Sequence, residues 1–265
     1  MTRTSLLACL FVLTACNPTP APMNDAAIVT DAGPPDTGAP MMCAAVPATC
    51  IDQQITMLDL FETVSTRAIT EEGTTSGVFV THIDATAGGL SPTESFVYAR
   101  FTPTGLAAVA VSDSAAFDSQ AWDIAFRRYI IRLNSGVSGE SCVQAARTAP
   151  GTTFDTLTSV PATLDLHSEV YMTASCDIVP DGSGLPGAPS TVLSSYWAYP
   201  EGSAGMGCLS MTNNVYVIAL ANGRHVKLQV IGYYDTAAQT QCNTAHTLPT
   251  PSTSGNIRVQ WAYLD

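Results

Sequence analysis

The chain reads as an all-β protein: a single antiparallel β-domain with projecting loops, preceded by a lipoprotein signal and a disordered tether. Three observations carry that reading. Short runs such as Ser95–Phe101 and Ile257–Tyr263 alternate apolar and polar residues, the period of a half-buried strand. Between two further runs stands Asn222-Gly223, the strongest local hairpin signal, because both residues tolerate positive φ. The densest aromatic, β-branched and cationic stretch, Gln120–Asn134, alternates in the same way.

Taken in order, the chain opens with Arg3 and an apolar run, Leu6 to Leu13, too short to span a bilayer. Leu13-Thr14-Ala15-Cys16 follows. Small residues before a cysteine suit lipoprotein processing, so residues 1–16 are expected to be a signal with Cys16 lipidated. Asn17 is not the aspartate that retains lipoproteins on the inner membrane. The expected location is therefore the outer membrane, on its periplasmic or extracellular face, by a lipid anchor. Residues 17–50 are assigned to a flexible Pro/Ala/Thr-rich tether, most biased up to about Met42, whose composition cannot offset ordering entropy.

Residues 51–265 form the expected β-domain. Ile55, Leu58, Phe61 and Val64 are spaced to line one face of a short helix. Strands are expected at Val78–Ile83, Ser95–Phe101 and Leu106–Val111. In the central stretch, Trp122, Ile124 and Phe126 share one parity, while Tyr129, Ile131 and Leu133 share the other. That phase change predicts one strand bulged at Arg127-Arg128 and ending at Asn134-Ser135-Gly136. Gly136 to about Ser195 is loop-rich, and loops of that size carry function or disorder. Val215–Leu220 and His225–Val230 flank the Asn-Gly turn, with Val226, Leu228 and Val230 facing in and His225, Lys227 and Gln229 facing out. The last strand alternates Ile257, Val259, Trp261 and Tyr263 with polar or small residues.

Composition narrows function. Lys and Arg number 10 against 22 Asp and Glu, for a net charge of −12, which argues against nucleic acid and anionic lipid surfaces. With Cys16 lipidated and Cys9 in the signal, six cysteines remain, an even number that reads as disulfides in an exported chain. Sequence order suggests Cys43–Cys50, Cys142–Cys176 and Cys208–Cys242, the last across the arms of a hairpin. No Cys-x-x-Cys pair supports zinc. No Gly-x-Ser-x-Gly elbow, phosphate loop, EF-hand or His-Glu-x-x-His pattern is present, so no enzyme is expected.

The run Trp122–Asn134, read Trp-Asp-Ile-Ala-Phe-Arg-Arg-Tyr-Ile-Ile-Arg-Leu-Asn, resembles the signature strand of the HmuY family, haem-binding lipoproteins of bacterial outer membranes. Val80–Ala85, Asn214–Ile218 with Asn222–Leu228, and Trp261–Tyr263 resemble further strands, so the resemblance covers roughly Gly77 to Asp265. It implies an all-β body holding haem between loops, with paired His, paired Met or mixed iron ligands. Those ligands lie in segments corresponding to Pro161–Ser194 and Ser195–Met206. Tyr196–Gly202 departs from the His/His form, having no histidine. The ligand candidates left there are His167, Met172, Tyr199 and Met206, with Met172 and Met206 the preferred pair.

Arg127, Arg128 and Arg132 are candidates for haem propionates, or for neutralising carboxylates such as Asp123. His225 and His82 read as strand-surface residues and His246 as a loop residue. The resemblance implies haem as cofactor or cargo, bound without turnover for iron acquisition. Expected partners are haem or a haem-carrying protein, an outer-membrane transporter, and the membrane through Cys16. The alternative is an HmuY-like domain that has lost haem and acts as a cell-surface interaction module.

Overall fold

A computed structural model describes residues 43–87, 92–185, 187–199, 208–248 and 252–264. Twelve strands and three α-helices alternate along the described residues, and every strand pair is antiparallel.

The expected first strand is the second. β1 (Ile69–Thr75) is hidden in the sequence because Glu71 and Glu72 break the apolar alternation, and only its first residues are sheltered. It pairs with β2 (Val78–Asp84) through Ser76-Gly77, whose φ values of 52° and 78° match a tight hairpin turn. β2 continues to β12 (Asn256–Leu264), β11 (His225–Gly232), β10 (Val215–Ala219) and β7 (Gln144–Arg147), in that order across a six-stranded sheet. On β11 burial alternates along the whole strand, with Val226, Leu228 and Val230 inward as the sequence predicts.

The second sheet has four strands: β4 (Gly105–Val109), β3 (Val97–Thr102), β5 (Ile124–Arg127) and β6 (Ile130–Leu133), in that order. The two sheets share one core. Phe101 of β3 meets Trp261 of β12 edge-on, their ring centres 5.0 Å apart, and Phe79 stacks on the same indole at 4.3 Å. Burying such rings is the main driving force here. A two-stranded ribbon of β8 (Trp197–Ala198) and β9 (Ser210–Met211) lies outside both sheets.

The bulge expected at Arg127-Arg128 is a hairpin instead. Arg127 pairs with Ile130 and Phe126 with Ile131, leaving a two-residue turn with Arg128 at φ 51°. A two-residue turn inverts the parity of large residues just as a bulge does, so the pattern could not separate them. Ile124, Phe126, Ile131 and Leu133 enter the shared core. The opposite face carries Ala125, Arg127, Ile130 and Arg132, and it too is covered.

That cover comes from α1 (Ile51–Met57), α2 (Asp113–Ala116) and the segments beside them. The helix ends at Met57, so Phe61 and Val64 lie beyond it, and Gln54 is its buried residue. Gln54 Nε2 donates to the carbonyls of Thr49 (2.8 Å) and Val137 (2.7 Å), while Tyr171 Oη donates to its Oε1 at 2.8 Å. The remaining helix, α3 (Thr236–Ala245), starts where Asp235 accepts the Ala238 N–H at 2.8 Å and ends at His246 with φ 56°.

The disulfides correct the expected order. Cys43 pairs with Cys142 and Cys50 with Cys176, in place of Cys43–Cys50 and Cys142–Cys176; Cys208 pairs with Cys242. Both N-terminal cysteines lie on one segment laid across the long loop, where the Val46 N–H also donates to Glu140 O at 3.1 Å. Neighbours in sequence are therefore not neighbours in space. Residues 43–50, grouped with the tether on composition, are fastened to the domain. Cys242 stands on α3 rather than on a hairpin arm.

Candidate functional site

A cleft of about 530 Å³ opens at the tip of the β5–β6 hairpin. Arg128, Tyr129 and Ile130 enter it from the hairpin, and Met57, Leu58 and Asp59 from the end of α1. Tyr199 and Leu209 arrive from the chain beside the β8–β9 ribbon, Tyr233 and Tyr234 from the bend between β11 and α3, and Leu185 from the long loop.

The aromatic wall is held from behind. Trp197 meets Tyr129 and Tyr199 edge-on, at ring-centre distances of 6.1 and 5.3 Å, and Tyr233 meets Tyr234 at 4.9 Å. Gln239 Oε1 of α3 accepts the backbone N–H groups of Tyr233 (2.8 Å) and Tyr234 (3.3 Å). Tyr234 Oη accepts the Leu209 N–H at 3.0 Å, and Tyr196 Oη donates to Tyr129 O at 3.0 Å. The Arg128 N–H donates to Ala85 O at 2.7 Å, fixing the hairpin tip. These bonds set the ring positions before any ligand arrives, which lowers the cost of binding.

Burial raises the phenol pKa of Tyr129, Tyr199 and Tyr234, and pushes Tyr233 up to about 12. All four are neutral at physiological pH. The surface they make is apolar in its faces and capable of hydrogen bonding at its edges, suited to a flat, largely apolar molecule.

Of the residues singled out from sequence, Tyr199, Arg127 and Arg128 line this cleft. Arg127 is turned away from a ligand role: its guanidinium donates to the carbonyls of Leu58 and Asp59 and pairs with Asp113 Oδ2 at 3.5 Å. Arg132, fully buried, pairs with the same carboxylate at 3.7 Å and donates to Tyr98 Oη. The neutralised carboxylate is thus Asp113 rather than Asp123, whose Oδ2 accepts the Phe101 N–H at 2.9 Å. Met172 is buried in an apolar cluster with Leu58 and Tyr171 and does not line the cleft. His167 is exposed, its backbone bridging Ala145 and its Nδ1 3.2 Å from Asp165 O. Met206 lies outside the described residues. Sequence reasoning missed Met57, Tyr129, Tyr233 and Tyr234; the tyrosine pair directly after Gly232 was the visible signal.

Among the described residues no group of three or more His, Cys, Asp or Glu could hold a metal ion. No helix among them is long and apolar enough to cross a membrane.

A Bacteroides vulgatus protein, assigned provisionally as HmuY-like and heme binding, is 19% identical, with 77% of this chain and 99% of that chain covered at a TM-score of 0.46. A Bacteroides fragilis protein, assigned provisionally as a lipoprotein, is 16% identical over 74% of this chain and 95% of that one, at 0.47. The apo form of the Tannerella forsythia HmuY analogue is 16% identical over 78% and 99%, at 0.37. No curated protein matches the chain. The pattern of the family described as HmuY protein matches residues 75–247, and on that match the chain belongs to the HmuY family.

Proposed function

We propose that the chain binds haem in this cleft without turnover, for capture or transfer, as an outer-membrane lipoprotein anchored through Cys16. The observation that carries this reading is the composition of the cleft at the Arg128-Tyr129 hairpin tip, within the run that bears the family resemblance. Four tyrosines and the apolar side chains of Leu58, Ile130, Leu185, Leu209 and Leu248 suit the faces of a macrocycle. Arg128 suits a propionate, and the cleft volume lies within the usual range for small-molecule sites, about 300–1,000 Å³. Of the iron-ligand candidates named from the sequence, Tyr199 lines the cleft. It would ligate as a phenolate, a known haem ligand, releasing to solvent as iron binds the proton that burial otherwise holds on it. Family membership supports the same reading, with a haem carrier or outer-membrane transporter as partner.

The test is a haem titration of the full chain with disulfides formed, followed by absorbance in both iron oxidation states. A saturable, sharp Soret band that weakens in Arg128→Ala is expected. A flat titration at micromolar haem would overturn the proposal and favour the interaction-module alternative.

A further inference from the structure

We propose that Met57, carried to the cleft by the disulfide-held N-terminal segment, is an iron ligand of the haem site; this rests on the haem reading of the cleft. Three observations support it.

The first is donor chemistry. Among the described residues lining the cleft, Met57 is the one sulfur donor, and neither histidine nor cysteine is present. A thioether is a soft ligand, and axial methionine is an established way to hold haem iron.

The second is exposure. Met57 is 46% exposed and belongs to none of the apolar clusters that make the core. Packing does not account for it, whereas its neighbour Leu58 is buried at 5%.

The third is fixation of the backbone on both sides. Gln54, one turn earlier, is tied to Thr49, Val137 and Tyr171. Directly after Met57, the carbonyls of Leu58 and Asp59 accept from the buried Arg127 guanidinium. Cys50, at the start of the same helix, is joined to Cys176. The backbone is set, while the unbranched side chain stays adjustable, which suits a ligand that must close on an incoming iron.

The experiment compares wild type and Met57→Leu with two probes, haem and iron-free protoporphyrin. Leucine keeps the apolar wall and removes the sulfur. The expected result is haem binding weakened about tenfold or more, unchanged protoporphyrin binding, and loss of the near-infrared sulfur-to-iron charge-transfer band of the ferric complex. Equal weakening for both probes, or no weakening for haem, would overturn the assignment of Met57 while leaving the haem site standing. A wild-type chain that binds neither probe would overturn both.

Discussion

Arg127 Nη1 and Asp113 Oδ2 stand 3.5 Å apart with side-chain exposures of 3% and 0%. The aspartate is a hub: it also accepts the N–H groups of Phe61 and Phe96, each at 2.9 Å, and the Tyr98 hydroxyl at 2.7 Å. It joins β3, β5 and the segment after α1 in one buried polar junction. Burial pushes Arg127 down to about 10, with the Asp113 charge opposing.

Asp113→Ala strands two buried guanidinium groups and two backbone N–H groups. Breaking one side of a buried pair costs about 3–5 kcal/mol, so the urea midpoint at neutral pH should fall steeply. Asp113→Asn, which keeps an acceptor, should fall less.

The cysteine pairing can be read by mass mapping of the non-reduced chain. Peptides joined through Cys43–Cys142 and Cys50–Cys176 are expected, and a Cys43–Cys50 peptide would contradict the structure. Cys50→Ser with Cys176→Ser removes a link between residues 126 apart in sequence. It should cost about 2–5 kcal/mol in thermal or denaturant unfolding.

The stability contributed by two buried carboxyls, Asp123 and Glu169, should fall as pH rises. Burial raises Asp123 to about 6 from 3.8, with the Phe101 N–H opposing, and raises Glu169 to about 8, with the Val192 and Leu133 N–H groups and Arg132 opposing. Both groups hold their protons more tightly folded than unfolded, so the native state binds the excess proton. The Asp123 part is lost between about pH 4 and about pH 6 and is worth roughly 3 kcal/mol. Asp123→Asn should make denaturation midpoints fall less steeply across that window, leaving the Glu169 decline, which runs from about pH 4.5 to about pH 8.

Gly136 has φ 56°, and a Cβ there would collide with Glu169 O. That oxygen is a backbone atom, itself accepting the Val137 N–H at 3.1 Å, so it has little room to yield. Gly136→Ala should lose at least about 1–3 kcal/mol, seen as a lowered melting temperature.

Strand content was legible because period-two alternation is a local property that β2, β11 and β12 show openly, while β3 and β10, buried on both faces, showed as short apolar runs. The Arg127-Arg128 hairpin was half legible: parity announced an inversion, but only pairing distinguishes a turn from a bulge. α3 is faint in the sequence because its Ala, Thr and Gln residues carry a weak apolar stripe, although Asp235 three residues before Ala238 is a cap signal. At the site, Arg128 and Tyr199 could be named from the resemblance. Met57 could not, since it reaches the cleft through contacts and a disulfide to residues far away in sequence.

The Cys43–Cys142 link also has a mechanical consequence. A pull arriving along the preceding chain meets this covalent junction before it reaches α1 and the cleft wall at Met57. Cys142 passes the load into the chain leading to β7, at the edge of the larger sheet. Tension along the preceding chain would thus bypass the wall that Met57 occupies and leave the shape of the cleft unchanged.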